Sequence, residues 1–195
     1  MRLPKIGLLG GTFDPPHLAH LILAQVVLEK LKLDQIWFVP SYIPPHKRLN
    51  QITPARHRLK MLKLALAHNP NFGVCEVELR RRGISYTVDT LRELSLQKPK
   101  KRLYLIIGSD SLELLPGWKE PKDIFRLACV VVVNRPGHIP GLRRSRLGKV
   151  ITQKAPLLEI SSSEIRERVK SGEDISYWVP PRVKQYIESK RLYHS

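Results

Sequence analysis

The first twenty residues constrain the fold more than any other part of the chain. Residues 6–20 read IGLLGGTFDPPHLAH, in which an apolar run ends at Gly10 and Gly11, passes a Pro-Pro step and reaches His17 and His20. This order predicts a strand, a tight turn and the start of a helix. A helix start carries unpaired N–H groups and the positive end of the helix dipole, and glycines let a ligand approach the main chain. The stretch therefore predicts a binding site for the phosphates of a nucleotide.

Strand and helix patterns alternate along the rest of the chain, as is typical of parallel strands joined by crossover helices. We predict strands at 6–9, 34–40, 72–79, 103–107 and 128–133, a short last strand within 150–160, and helices at 18–31, 53–66, from 87 through 94, at 122–127 and from 161. The predicted fold is α/β, with a doubly wound, mostly parallel, Rossmann-like sheet of five to six strands and a C-terminal helical tail. Because no Pro/Gly/Ser-rich linker divides the chain, residues 1–195 are expected to form a single domain, with the helical part at about 161–195.

Several classes of protein are excluded by composition. No apolar run approaches the roughly 20 residues that a membrane span requires. Residues 1–5 run directly into the first predicted strand, which leaves no room for a signal peptide, so we expect a cytoplasmic protein. Cys75 and Cys129 each lie in a segment predicted to be a strand, and we expect buried, reduced thiols rather than a redox pair or a zinc site.

The chain is strongly basic. It has 34 Lys and Arg against 17 Asp and Glu, which gives a formal net charge of +17. Nucleic acid, a small anionic substrate and solubility are three separate explanations of that charge. The basic runs at 80–82, 98–102 and 143–146 lie apart and contain no aromatic residues, so we interpret them as solvated surface.

A nucleic-acid-binding module without catalytic activity is the alternative from another functional class. It is motivated by the charge alone, because the sequence lacks the signatures of a helix-turn-helix, a zinc finger or an RNP motif. Steeply salt-dependent binding to DNA or RNA, without nucleotide turnover, would identify it.

His17 and His20 lie three residues apart and therefore on one face of the first helical turn. A single histidine at a helix start is more often a surface residue than a catalytic one. Two histidines together, beside Gly10, Gly11 and Thr12, reverse that preference and indicate that both contact the same anion. A zinc site is disfavoured, because the pattern is not H-E-x-x-H and offers no third ligand.

Other candidate residues follow later strands or open a later helix, and each also has an ordinary structural explanation. His46-Lys47 is either an exposed loop or a contact at the ligand-binding edge, and Gly108-Ser109-Asp110 is either a polar turn or a site for a ribose diol. Trp118 either packs in the core or stacks on a heteroaromatic ring. Residues 161–166 either only cap a helix or, through Arg166, add a second phosphate contact. Residues 138–149 are expected to be a basic loop.

These motifs together resemble the bacterial nicotinate-nucleotide adenylyltransferases, within the nucleotidyltransferase superfamily that carries an H-x-G-H signature. The resemblance extends over almost the whole chain in the family's order: GGTFDPPH at 10–17, PPHK at 44–47, SYTVDTL at 85–91, GSD at 108–110 with Trp118, and ISSS at 160–163 with Arg166. The H-x-G-H element alone specifies only the superfamily, whereas PPHK and SYT narrow the resemblance to the pyridine-nucleotide branch.

The resemblance implies transfer of AMP from ATP to nicotinate mononucleotide, which gives deamido-NAD and pyrophosphate. It implies that His17, His20 and Arg166 are catalytic, and that ATP is bound by Gly10, Gly11, Thr12, Phe13, Gly108, Asp110, Ser162 and Ser163. The nicotinate nucleotide is then bound by His46, Lys47, Tyr86, Thr87 and Trp118. Magnesium would arrive with ATP, held by phosphate oxygens and water rather than by a cage of protein ligands.

One residue departs from the family pattern, because Ala19 stands where the family usually has glycine. The extra methyl group is sterically modest and favours the helix, so we expect activity to survive with adjusted packing around the nucleotide. Nicotinamide mononucleotide and phosphopantetheine are the alternative acceptors. The sequence leaves the oligomeric state open, a homo-oligomer included.

Overall fold

The computed structural model describes residues 2–46, 48–97, 99–134, 144–145 and 147–194. Its strands are β1 (Lys5–Gly11), β2 (Gln35–Pro40), β3 (Phe72–Val74), β4 (Arg102–Gly108), β5 (Cys129–Val133), β6 (Arg144–Ser145) and β7 (Gly148–Gln153). Its helices are α1 (Leu18–Lys30), α2 (Ala55–Leu66), α3 (Val77–Arg81), α4 (Thr87–Gln97), α5 (Ser109–Leu114), α6 (Pro121–Leu127), α7 (Ser162–Lys170) and α8 (Pro181–Ser189). Among the described residues, no helix is long and apolar enough to cross a membrane.

The strands form one sheet in the order β3-β2-β1-β4-β5-β7-β6. The first six in that order pair in parallel, and the two-residue β6 pairs antiparallel with β7. The prediction of a doubly wound, mostly parallel α/β sheet is therefore confirmed, with β6 as a short additional strand.

Both faces of the sheet are covered, because successive residues of a strand point to opposite sides. Leu8 packs in one cluster of buried residues with Leu91 and Ile124 of α4 and α6, whereas Leu9 packs in another with Val27 of α1 and Leu62 of α2. Continuous apolar strands such as β5 are what a sheet buried on both faces requires.

The C-terminal helices pack on α2 rather than directly over the sheet. Met61 of α2 lies in one buried cluster with Ile165 and Val169 of α7 and with Val183 and Ile187 of α8. We infer from this shared cluster that the helical tail belongs to the same domain as the sheet.

The predicted strand at 72–79 is wrong in its second half. β3 ends at Val74, and Val77–Arg81 forms α3. Val77 and Glu78 are both buried, although neighbouring residues of a strand point to opposite faces. Packing in the folded protein buries both of these adjacent residues in a helix, although residues 72–79 alternate in sequence as a strand does.

The cysteine prediction needs a matching correction. Cys75 follows β3 instead of lying inside a strand, and Cys129 is the first residue of β5. Both are free thiols and both are half-buried, not fully buried. Burial nevertheless raises the pKa of the Cys75 thiol, which favours its protonated form.

Two further boundaries differ from the prediction. The polar turn predicted at Gly108-Ser109-Asp110 is the start of α5, with Gly108 as its N-cap. The basic loop predicted at 138–149 contains β6 and the beginning of β7, and most of its other residues lie outside the described ranges. Short polar residues serve equally in turns and helix caps, so the sequence pattern did not separate the two.

Burial of Glu78 predicts a pH dependence of stability. Burial raises the pKa of this carboxyl group, although the hydroxyls of Thr90 and Ser85 oppose the shift. A carboxyl with a raised pKa in the folded state contributes stability at low pH that is lost as the pH rises. We expect the melting temperature of Glu78→Gln minus that of the wild type to increase as the pH rises from about 4 toward 8, measured by thermal unfolding. The exposed Glu113→Gln is the matched control, and parallel curves for all three proteins would contradict the prediction.

Candidate active site

Three strands bring their carboxyl ends to one edge of the sheet. Gly11 ends β1 opposite Pro40, the last residue of β2, and β4 runs parallel to β1 on its other side as far as Gly108. The strand order changes direction at β1, because β2 and β3 lie on one side and β4, β5 and β7 on the other. The crevice at such a point is where open α/β sheets bind their ligands.

His17 and His20 form a stacked pair at this edge. Their ring centroids lie 3.6 Å apart with an interplanar angle of 29°. His17 is the N-cap of α1 and is buried, while His20 is half-buried. The backbone N–H of His17 donates to Nδ1 of His20 at 3.3 Å. Because Nδ1 accepts, Nε2 is the nitrogen that carries hydrogen in the neutral His20 ring, and Nε2 is then the donor for an anion.

The ring of Phe13 packs against His20 of the histidine pair. Phe13 is 1% exposed, and its ring lies edge-on to His20 with centroids 5.0 Å apart. A Cβ on Gly11 would approach this ring to 2.9 Å, whereas a Cβ on Gly10 would meet nothing within 4 Å. Gly11 is thus required by packing, and Gly10 borders open space. Of the residues expected to bind ATP, Phe13 can offer its main chain but not its buried ring.

The start of α1 is not the unpaired set of N–H groups that the sequence predicted. The Leu18 N–H donates to the carbonyl of Trp178 at 2.9 Å, and the His17 N–H is engaged by His20. Contacts within the protein therefore satisfy these two amides.

A buried carboxylate fixes the turn between β1 and α1. Asp14 is 3% exposed; its Oδ2 accepts from the Thr53 N–H at 2.9 Å and its Oδ1 from the Tyr193 hydroxyl at 2.8 Å. Burial is the largest cause that raises the pKa of Tyr193, so this hydroxyl stays protonated and remains a donor. The turn is thereby tied to the start of α2 and to the C-terminal end of the chain.

Helix α7 contacts the same turn. The Ser162 hydroxyl donates to the carbonyl of Pro15 at 2.8 Å. The Arg166 guanidinium donates to the carbonyl of Asp14 at 2.8 Å and to the Ser163 hydroxyl at 3.2 Å. Ser161 also caps the helix by accepting from the Glu164 N–H at 3.1 Å. The predicted helix cap is therefore confirmed. The phosphate contact of Arg166 stays a prediction, and the structure places its guanidinium against the turn in which that phosphate site was predicted.

The loop after β2 is joined to the segment before α4. The Tyr42 N–H donates to the Ser85 hydroxyl at 2.9 Å, and the Ser85 N–H donates to the carbonyl of Ile43 at 2.8 Å. These bonds place the loop that leads to His46 beside Thr87, the first residue of α4. His46 is exposed, and Lys47 lies outside the described residues.

Tyr86 and Trp118 pack, half-buried, against the same cluster of core residues. Lys119, which follows Trp118 in the chain, contacts the region around Tyr86. Its Nζ lies 4.9 Å from the centroid of the Tyr86 ring and 3.0 Å from a carboxylate oxygen of Asp89. Asp110 lies in the first turn of α5, directly after β4. The predicted residues that the structure describes thus lie at the ends of β1 and β4, in segments that follow β1, β2 and β4, or in segments that contact these. Trp118 combines core packing with partial exposure.

Three structural contributors to the site escaped the sequence analysis: Asp14, Arg58 and Tyr193. Arg58 carried a usable signal, because it occupies the apolar face of α2 three and four residues before the buried Met61 and Leu62. Asp14 lies inside the first motif, where an aspartate is an ordinary turn residue and carries no separate signal. Tyr193 carried no local signal, since its partner lies 179 residues away in sequence.

Among the described residues, no cluster of three or more His, Cys, Asp or Glu side chains is arranged to hold a metal ion. The donor groups gathered at the turn are imidazoles, hydroxyls and a guanidinium. Such a set suits phosphate oxygens better than it suits a bare cation.

Comparison with known proteins gives concordant results. Residues 8–168 match the family model described as cytidylyltransferase-like. The chain is 48% identical over 189 residues to the "Probable nicotinate-nucleotide adenylyltransferase" of Geobacillus thermodenitrificans, covering 97% of this chain and 86% of the relative. It is 43% identical over 194 residues to the nicotinate-nucleotide adenylyltransferase of Bacillus subtilis, and the match covers 99% of this chain and 100% of the relative.

Among solved structures, the nicotinic acid mononucleotide adenylyltransferase of Plasmodium falciparum has a similar fold. Its complex with APC matches at a TM-score of 0.80 with 20% identity, and its complex with NaAD at 0.78 with 22% identity. Each match covers 98% of both chains. At this level of identity, the likeness establishes the shared fold.

The contact between Tyr193 and Asp14 predicts a stability effect. Tyr193→Phe removes a donor from a buried carboxylate, and we expect a loss of about 1–3 kcal/mol in the free energy of unfolding, measured by urea denaturation. Tyr177→Phe is the matched control, because Tyr177 is 87% exposed and should unfold like the wild type. Equal stability of the Tyr193 variant and the wild type would show that the bond does not hold the turn.

Proposed function

The chain belongs to the cytidylyltransferase-like family and, within it, to the nicotinate-nucleotide adenylyltransferases, and from that premise we propose that residues of the β1–α1 turn and of α7 carry out the reaction. The enzyme transfers AMP from ATP to nicotinate mononucleotide and yields deamido-NAD and pyrophosphate. One observation supports the assignment of residues most strongly. The stacked pair of His17 and His20 follows the β1–α1 turn at the carboxyl edge of the sheet, and the Arg166 guanidinium bonds to the carbonyl of Asp14 in the same turn.

The chemistry requires placement and charge neutralisation rather than a base. The phosphate of nicotinate mononucleotide is already an anion at neutral pH. One of its oxygens attacks the α-phosphorus of ATP, the bond from that phosphorus to the oxygen bridging to the β-phosphate breaks, and pyrophosphate leaves with the electron pair. Aligning two anions and stabilising the charge that develops are the main contributions of the protein.

On the ATP side, His20 Nε2 would donate to a phosphate oxygen, with His17 stacked behind it. Arg166, with Ser162 and Ser163 beside it, would bind the departing pyrophosphate. The main chain of the turn would approach the phosphates, since a Cβ at Gly10 would meet nothing. Asp110 would accept hydrogen bonds from the ribose hydroxyls. The complete ATP set is Gly10, Gly11, Thr12, Phe13, Gly108, Asp110, Ser162 and Ser163, with Phe13 acting through its main chain.

On the acceptor side, the joined loops after β2 and before α4 would bind the nicotinate nucleotide. Trp118 would stack on the pyridine ring, and Thr87 would contribute the N–H groups at the start of α4. An environment rich in N–H groups and positive charge favours a carboxylate over a carboxamide. His46, Lys47 and Tyr86 complete the proposed acceptor set.

Magnesium fits this arrangement as part of the substrate, held by phosphate oxygens of ATP and by water. When bound, it supplies positive charge that offsets the charge on the triphosphate. We place the reaction in the cytoplasm, where its ATP is available.

Competition between acceptors in a single reaction tests the substrate assignment. The enzyme with Mg-ATP receives equal concentrations of nicotinate mononucleotide, nicotinamide mononucleotide and phosphopantetheine, and the adenylylated products are separated. We expect deamido-NAD to be the main product. Preferential adenylylation of either other acceptor would overturn the assignment.

Loss of His20 tests the phosphate site. His20→Ala removes a donor that acts on developing charge, and we expect turnover to fall by at least about 10²-fold, measured as pyrophosphate release. His68→Ala is the control, since His68 is exposed beyond the end of α2. Near-normal turnover in the His20 variant would defeat its proposed role.

Restoring the usual glycine tests the departure at Ala19. Ala19→Gly should leave the rate of pyrophosphate release within about threefold of the wild type, which is less than about 1 kcal/mol of transition-state stabilisation. Because glycine is a weaker helix former, the variant should also be less stable by about 1 kcal/mol. A large change in rate in either direction would show that the methyl group contacts the bound nucleotide.

A further inference from the structure

Arg58 is a charged side chain in the interior of the protein. It belongs to α2 and is 1% exposed, among the largest side chains that are fully buried. Its neighbours on the same face of the helix, Met61 and Leu62, are apolar and also fully buried. A buried charge destabilises a fold unless it is paired or hydrogen-bonded, so the bonds of this guanidinium determine its role.

The guanidinium donates four hydrogen bonds, all to main-chain carbonyl oxygens. Nε donates to Thr53 at 2.8 Å, Nη1 donates to Thr12 and to Ser41 at 2.8 Å each, and Nη2 donates to Tyr42 at 3.2 Å. None of these acceptors carries a charge. Burial lowers the pKa of Arg58, and the carboxylate of Asp14 opposes that shift at longer range.

The four carbonyls belong to three separate segments of the active-site edge. Thr12 lies in the β1–α1 turn, for which we propose ATP binding. Ser41 and Tyr42 follow β2 and lead into the loop proposed to bind the acceptor, and Thr53 precedes α2. Arg58 therefore bonds to both segments that are proposed to form the two substrate sites.

We propose that Arg58 is a positioning residue, which sets the distance between the ATP-binding turn and the acceptor loop without touching either substrate. The inference rests on the adenylyl transfer reaction proposed for this site. In that reaction, the acceptor oxygen must lie in line with the α-phosphorus. A displacement of about 1 Å between bound reactants is enough to lower a rate by about 10²-fold.

The arrangement requires the shape of arginine as well as its charge. A guanidinium presents five N–H donors in a rigid plane, so it can bond to three segments at once. Lysine carries the same charge on a single nitrogen with three donors. Methionine fills a comparable length without charge. The two replacements therefore separate geometry from charge.

The test compares Arg58→Lys and Arg58→Met with the wild type, using whichever acceptor the wild type adenylylates. We expect kcat per folded enzyme to fall by about 10²-fold in both variants, while the KM for ATP stays within about threefold of the wild type. Hydrogen exchange should accelerate in peptides covering 11–14 and 41–46 and stay unchanged in 103–107. Leu62→Ala is the control, because it weakens the core beside the same helix and should leave kcat unchanged.

Normal kcat in Arg58→Lys would overturn the proposal, because charge alone would then suffice. A fall in melting temperature with unchanged kcat per folded enzyme would overturn it as well, since Arg58 would then only stabilise the fold. If neither Arg58 variant folds, Arg58→Gln decides, because its uncharged amide has two N–H donors on one nitrogen and cannot make all four bonds to Thr12, Ser41, Tyr42 and Thr53. A fall in kcat of at least about threefold would support the proposal, and an unchanged kcat would overturn it. Absence of turnover in the wild type would instead count against the proposed function.

Discussion

The carboxylate of Asp14 holds the turn on which the proposed active site is built. It is buried, and its two oxygens accept from the Thr53 N–H and from the Tyr193 hydroxyl. Around it, Arg166 and Ser162 donate to the carbonyls of Asp14 and Pro15. The turn has little regular structure of its own, so these bonds from distant segments determine its conformation. The position of the histidine pair therefore depends on the C-terminal helices as much as on the strand that precedes it.

This construction suits a reaction in which both reactants arrive charged. The protein has no difficult proton to remove, and its main tasks are to hold two anions in line and to stabilise the charge on the departing group. Rigid placement then matters more than any single reactive side chain. Two buried charged groups suit this task. The guanidinium of Arg58 bonds to the carbonyls of Thr12, Ser41, Tyr42 and Thr53. The carboxylate of Asp14 joins the turn to Thr53 and Tyr193.

Local patterns in the sequence predicted most of the fold, because apolar runs and helical spacing report directly on burial. The histidine pair could also be predicted, since a spacing of three residues places both rings on one face at the start of α1. The helix at Val77–Arg81 was not predictable in this way, because residues 72–79 alternate as a strand does, whereas the folded protein buries the adjacent residues Val77 and Glu78. The bond between Asp14 and Tyr193 spans 179 residues, and no local pattern encodes such a distance. The engagement of the Leu18 amide by Trp178 was missed for the same reason.

A crystal structure with a non-hydrolysable ATP analogue and nicotinate mononucleotide tests the central claim most directly. We expect the triphosphate to lie between His20 and Arg166, with His20 Nε2 and the Arg166 guanidinium within about 3.2 Å of phosphate oxygens. The acceptor phosphate should approach the α-phosphorus from the side of the loop after β2. A triphosphate bound away from residues 10–20, or an acceptor on the far side of the sheet from Trp118, would contradict the account.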